Sequence, residues 1–301
     1  MMSVNGEFKV RSWNQKLWTG FKDFFRGLGT FIRRIKKSPI AFISFIIIII
    51  WFFLAVFGPY IVPHDPVEHD LKTRFKGPSI EHPFGTDRYG RDVFSRVVVG
   101  SRTVFLLAAS AIAISVSAGA IIGLISGYFG GVADELIMRF MDILMSFPAL
   151  LLAMLMLGIL GPSFLGVVLV IAIVFSPRIA RMARSSVLDI KTKEYIEAAR
   201  VRGESNLYIM AVEIFPNTLG PLGVEAAVRF GYAIFLSASL GFLGLGVQPP
   251  TPDWGLMMSE AQQYITTAPW MAIFPAIAIA SLTVSVNFIS DAIRKLEAGD
   301  L

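Results

Sequence analysis

"KTKEYIEAARVRGESNLYIMAVEIFPN", residues 191–217, is a charged, helix-prone segment set in a chain that is 54% hydrophobic and only 16% charged. Its first half holds good helix formers. Lys193 and Glu197, and then Glu197 and Arg200, stand at separations at which side chains on a helix face one another. Gly203 supplies the left-handed conformation that commonly ends a helix. Ser205 is a suitable N-cap for a second helix over "NLYIMAVEIF", and Pro216 marks its end and its junction with the next apolar run. Ala198 and Ala199 are small enough for another surface to come close. The spacing predicts two short helices joined at Gly203 and stopped at Pro216, lying across a membrane face. The residues by themselves admit both a solvated connector and a docking surface.

Working outward, the chain has 301 residues, a mean hydropathy of +0.65 and a net charge of +5. This is too apolar for a soluble domain of that size and reads as a polytopic membrane protein. With no cysteine, disulfides, thiolate metal sites and cysteine nucleophiles are excluded. A helix needs roughly 20 mostly apolar residues to cross a bilayer core. Uncharged runs meet that need at 38–63, which contains "AFISFIIIIIWFFLAVF", and at 103–133. The run from 143 to 177 is too long for one span, and "GPS" at 161–163 divides it into helices over 136–160 and 164–180. Further spans are expected over 218–246 and 270–290. The fold class expected is therefore all-α, an integral membrane protein with six transmembrane helices.

Orientation follows from the Lys and Arg distribution. The two tails, the turn near Arg139 and residues 178–202 carry nineteen basic residues, against seven in residues 63–102. Both termini and the opening segment are thus expected to be cytoplasmic, in a multi-pass protein of the cytoplasmic membrane. The first apolar run begins only after Lys37 and is longer than the core of a secretory leader. Residues 1–37 are accordingly expected to be a retained cytoplasmic tail, followed by a first span at 38–63 and an extracytoplasmic loop at 64–101. Spans two to six occupy 102–293, and 294–301 form a cytoplasmic C-terminal tail. "PPTPDWG" at 249–255 is a turn that cannot continue a helix, and Trp254 and Trp270 suit an interfacial aromatic belt.

Glu197-Ala198-Ala199, then Gly203 after three residues, then Pro216 thirteen positions beyond that glycine, resemble the "EAA" loop of permease subunits of ATP-binding-cassette (ABC) importers. One position departs: the family pattern has a hydrophobic residue three before the proline, where this chain has Glu213. "HPFGTDRYGRDVFSRVVVGSR" at 82–102 resembles the segment before the second span of C-type permeases of dipeptide, oligopeptide and nickel importers. "LGFLGLGVQPPTPDWG" at 240–255 resembles the end of their fifth span and the loop after it. The resemblance covers residues 38–293 and implies a type I ABC importer permease fold with cytoplasmic coupling helices.

It further implies a heterodimer with a second, related permease subunit, two cytoplasmic ATPase subunits that dock on the EAA loop, and an extracytoplasmic substrate-binding protein. ATP and Mg would then be bound by the partner subunits, with no cofactor on this chain and no nucleic-acid partner. The substrate implied is a di- or oligopeptide; nickel or oligosaccharides are alternatives for the same machinery. An ATP-independent secondary transporter or channel is the rival class. A phosphate-cradling loop is absent from the sequence, as expected of a permease whose ATPase is a separate chain.

Few residues invite chemistry. Glu225 and Arg229 stand four apart within the fifth span, where charges are costly; they are either a structural pair or candidates for the translocation path or its gate. Arg139 and Asp142, three apart, are expected to form an interfacial ion pair. His64, His69 and His82 lie in the outer loop among carboxylates, and a structural or solvated role is expected over metal binding. The glycines of "GLISGYFGG", 123–131, are expected to permit close helix packing. Neither a pair of intramembrane aspartates nor an H-E-x-x-H spacing is present, so no enzyme is expected.

Overall fold

The computed structural model describes residues 38–298; the expected tail at 1–37 and residues 299–301 lie outside the described residues. The most apolar stretch forms α1 (Pro39–Ile61). The Ser38 hydroxyl accepts from the Ala41 N–H, and Pro39 sits in the first turn, where no backbone donor is needed. Then come α2 (Val93–Phe129), α3 (Gly131–Ser146), α4 (Ala149–Leu160), α5 (Phe164–Ile190), α6 (Glu194–Val201), α7 (Asn206–Phe242), α8 (Trp254–Ala261) and α9 (Trp270–Ala298). No β-strand occurs among the described residues, only one isolated bridge between Thr86 and Asp92.

Among the described residues five helices are long and apolar enough to cross a membrane, and the pair α3–α4 makes a sixth if its two arms count as one span. The expected straight helix over 136–160 is instead bent by 95°. Pro148 has no N–H to give and its ring crowds the preceding residue, so Phe147 is extended (φ −85°, ψ 139°) and the helix stops there.

Several boundaries move outward from the uncharged runs. Helix α2 begins at Val93 rather than 103 and, with 37 residues, spans about 55 Å, longer than the roughly 30 Å hydrocarbon core. Its start is fixed by Asp92, whose Oδ2 accepts the Ser95 N–H at 2.7 Å. Helix α5 runs to Ile190 rather than 180, carrying Arg178, Arg181 and Arg184. Helix α9 runs to Ala298, so the expected tail at 294–301 is helical at its beginning.

The core is the seam between α2 and α5. Gly119, Gly123 and Gly127 form a small-residue stripe on α2 facing Ile179, Ala180, Ala183 and Val187 of α5. Gly123 requires the close approach: a Cβ there would lie 2.4 Å from the Ala180 carbonyl oxygen. Helix α1 stays peripheral, with most of its surface facing outward. It is held by Trp51, whose Nε1 donates to the Ser281 hydroxyl at 3.0 Å and whose ring meets Trp254 edge-on at 4.8 Å. Trp254 is not an interfacial residue as expected. It is fully buried, and its Nε1 donates to the Val97 carbonyl at 2.8 Å, because the Pro-rich turn folds α8 back into the bundle.

Candidate functional site

Residues 191–217 lie at the end of α2 opposite the 62–92 loop. Helix α6 buries Ile196 and Ala199 against Tyr128 of α2, Val187 of α5 and Ile209, Met210 and Ile214 of α7. Because the buried pair is three apart, the intervening Glu197 and Ala198 are turned outward. The helix ends at Gly203 (φ +79°), whose N–H donates to the Arg200 carbonyl at 3.0 Å while the Glu204 N–H reaches the Ala199 carbonyl at 3.2 Å. That double closure is the Schellman arrangement, and it needs a left-handed residue at this position. Ser205 then caps α7, its Oγ accepting from the Tyr208 N–H at 3.2 Å. Two more bonds tie the segment to α2: the Tyr128 hydroxyl to Asn206 Oδ1 at 2.7 Å, and Lys191 Nζ to the Gly127 carbonyl at 2.8 Å. Among the described residues the expected Lys193–Glu197 and Glu197–Arg200 pairs do not close; the Arg200 guanidinium instead lies 5.7 Å from the centre of the Tyr128 ring.

The second helix does not stop at Pro216. Residues Ile209–Ile214 widen into a π-helical turn, with the Phe215 N–H reaching back to the Met210 carbonyl, and α7 continues through the proline into the long span. The wide turn absorbs a residue that cannot donate, and the Asn217 side chain satisfies the Glu213 carbonyl at 2.7 Å. It also resolves the departure at Glu213. The extra residue turns Ile214 inward, where it is fully buried, and Glu213 faces Arg202 at 3.8 Å.

The platform beneath is braced by ions. Arg184 Nε and Nη2 donate to the two oxygens of Asp134 at 2.6 and 2.5 Å, and the Ser126 hydroxyl also donates to Asp134, joining α2, α3 and α5. Asp142 pairs with Arg181 of α5 rather than with Arg139, because the 95° bend carries α3 alongside α5.

Glu225 and Arg229 do pair, Nε to Oε1 at 2.6 Å, and both are largely buried. The Arg229 guanidinium lies 5.4 Å from the centre of the Tyr232 ring. Arg229 and Tyr232 line a cavity of about 210 Å³ with Arg178 of α5 and Phe147 at the α3–α4 break. Arg229 therefore borders a space between spans, and Glu225 is joined to it through the ion pair.

At the other end, the loop before α2 holds an ion cluster. Arg91 Nε donates to Asp87 Oδ2 at 2.5 Å and its Nη2 to Glu260 Oε2 at 2.7 Å; Arg96 Nη2 and Arg88 Nη2 each lie 3.7 Å from Glu260. Beside it, Asp253 is buried at the cap of α8, and burial pushes its carboxyl up to about 6 against the pull of the Leu256 and Gly255 N–H groups and the Arg96 charge. His82 Nδ1 lies 3.0 Å from Asp92 Oδ1, and the His64 ring is tilted against the His82 ring at 4.8 Å. His69 stacks separately on Tyr89 at 5.1 Å.

Against this geometry, residues 119–296 match the family model described as binding-protein-dependent transport system inner membrane component. Residues 28–78 match the N-terminal transmembrane domain of oligopeptide transport permease C. The chain belongs to this permease family. The dipeptide transport system permease protein of Alkalihalophilus pseudofirmus is 40% identical over 262 residues, which cover 87% of this chain and 86% of that one. The probable D,D-dipeptide transport system permease protein of Escherichia coli is 40% identical over 262 residues, covering 87% of this chain and 88% of its own. The glutathione transport system permease protein of Escherichia coli O157:H7 is 38% identical over 265 residues, covering 88% of each chain. As a member of this permease family the chain is a multi-pass membrane transport component.

Within the permease, what the sequence did not reveal is the partnership of Arg91 and Arg96 with Glu260. A signal was present: three arginines within nine residues of a span, with too few local carboxylates buried beside them, require a distant acid.

Proposed function

We propose that this chain is a permease subunit of an ATP-driven importer of di- or oligopeptides. Glu197, Ala198, Ala199, Gly203 and Pro216 form its coupling element. The observation that carries this reading is the outer face of the 194–208 segment. Glu197 and Ala198 face outward, and Val201 and Leu207 are 89% and 72% exposed, on a support tied to α2, α5 and α7. Apolar side chains left bare on a charged segment outside the bilayer call for a protein partner, and the relatives named above are peptide permeases.

In this reading the segment faces the cytoplasm with both termini and docks on one of two ATPase subunits, which bind ATP and Mg. A related permease completes a heterodimer around the path, and a binding protein delivers peptide from outside. ATP-driven closure moves the docked helix, and its rigid ties to α2 and α5 carry that motion into the spans. The segment must dock differently in the two ATPase states, because a contact of equal strength in both shifts no equilibrium.

Gly203→Asp or Glu197→Lys in the reconstituted complex is expected to leave the subunit inserted and ATP hydrolysis running while labelled dipeptide uptake is lost. A Cβ at Gly203 meets nothing within 4 Å, so the change disturbs the cap and the docking face rather than the core. Normal uptake with either variant would overturn the assignment. We assign Glu225 and Arg229 to the translocation path on the strength of the cavity that Arg229 lines and of the ion pair that holds Glu225 to it. The doubly reversed variant, Glu225→Arg with Arg229→Glu, is expected to assemble normally and lose uptake; retained uptake would reduce the pair to a structural one.

A further inference from the structure

Far from the coupling element, two imidazoles meet outside the spans, and each has one nitrogen already committed. His64 Nε2 lies 3.0 Å from the Glu81 carbonyl, which can only accept, so in the neutral ring Nε2 carries the proton and Nδ1 keeps its lone pair. His82 Nδ1 faces Asp92 Oδ1 at 3.0 Å, while Asp92 Oδ2 takes both the N–H and the hydroxyl of Ser95 at 2.7 Å. With Asp92 fully engaged as an acceptor, His82 donates through Nδ1 and its Nε2 lone pair is left over. A carbonyl or carboxylate behind the far nitrogen of an imidazole is the arrangement that fixes histidine as a metal ligand.

The space beside the rings suits an ion. One ligand atom from each of His64, His82 and Asp92 lies within 4.8 Å of the others. They line a cavity of about 180 Å³ whose wall also holds the carboxylates of Asp65, Glu68, Asp70 and Glu81. Paired imidazoles backed by carboxylates favour zinc, nickel, cobalt or copper over magnesium or calcium, which prefer oxygen ligands alone.

We propose that His64 and His82 bind a divalent first-row transition ion, with Asp92 bracing His82 and a wall carboxylate or water completing the coordination. Bound there, the ion links the turn after α1 to the cap of α2 and staples the 62–92 loop. This departs from the structural or solvated role expected of the histidines from sequence, and it does not depend on the transport reading.

The test uses full-length protein purified in detergent without a histidine tag and stripped with chelator. Calorimetric titration with Zn²⁺ is expected to give one ion per chain and a raised melting temperature. His64→Gln is expected to weaken binding at least tenfold and abolish the thermal shift, whereas His69→Gln leaves both unchanged, since His69 stacks on Tyr89 and is not part of the cavity wall. Co²⁺ added to the unaltered protein is expected to show visible absorption bands of a nitrogen-ligated site. Absence of saturable Zn²⁺ binding, absence of the cobalt bands, or unchanged binding in His64→Gln would each overturn the proposal.

Discussion

Gly123→Leu is expected to leave almost no monodisperse protein after extraction. A side chain at this position meets backbone: the Cβ alone would lie 2.4 Å from the Ala180 carbonyl oxygen, 2.6 Å from Ala183 Cβ and 2.8 Å from the Arg184 nitrogen. None of these can swing aside, so α2 and α5 must separate along the whole stripe from Gly119 to Gly127. Overpacking a core typically costs about 1–3 kcal/mol where neighbours can relax; here they cannot, and the total stability of a domain is only about 5–15 kcal/mol. Separation also pulls Ser126 and Arg184 from Asp134, the join of α2, α3 and α5. Gly158→Leu is the control, because nothing lies within 4 Å of a Cβ there. Size-exclusion yield and melting temperature measure the difference. Equal values for the two variants would show that the α2–α5 seam is not the core described.

Glu260→Ala is expected to be the most damaging change at the opposite end. Its two oxygens serve Arg88, Arg91 and Arg96, and the Arg91 and Arg96 side chains are only 4% and 1% exposed. Without it Arg91 and Arg96 keep Asp87, at 2.5 and 3.9 Å, and Arg88 loses its ion pair. Removing one partner of a buried ion pair costs about 3–5 kcal/mol, because the remaining charge keeps its desolvation penalty. For a chain of this size that corresponds to a fall in melting temperature on the order of 10 °C. Arg202→Gln breaks the exposed contact with Glu213 at 3.8 Å and is expected to change stability by less than about 1 kcal/mol. A thermal scan in detergent that found the two variants alike would contradict the cluster's role.

The helical class and the five unbroken spans could be read from the sequence because apolar length alone decides them, as in α1; the sixth depends on counting the bent α3–α4 pair as one. The ends of the spans could not. Arg96 looks like water-facing loop until Glu260, from the far end of the chain, is seen to neutralise it. Pro216 looks like a stop until the π-turn at Ile209–Ile214 absorbs it. Trp254 looks like a belt residue until the loop after α7 folds it inward. Each failure has one cause: a local signal of polarity or breakage was overridden by a tertiary partner that one-dimensional pattern does not carry. The turn after α6 was the opposite case. Gly203 and Ser205 are local features, and they lie where their spacing predicted.

If the outward face of α6 touches an ATPase subunit and ATP changes the contact, a cross-linker placed on that face reports both. Since the chain has no cysteine, a single photoreactive maleimide can be placed at Ala198→Cys in the purified complex, with Ile80→Cys, fully exposed in the 62–92 loop, as the opposite-end control. The expected result is an adduct of this chain with an ATPase subunit from position 198, with a yield that changes between nucleotide-free and ATP-bound states, and none from position 80. A transport-competent complex that gave no ATPase adduct from position 198, or gave one from position 80, would contradict it.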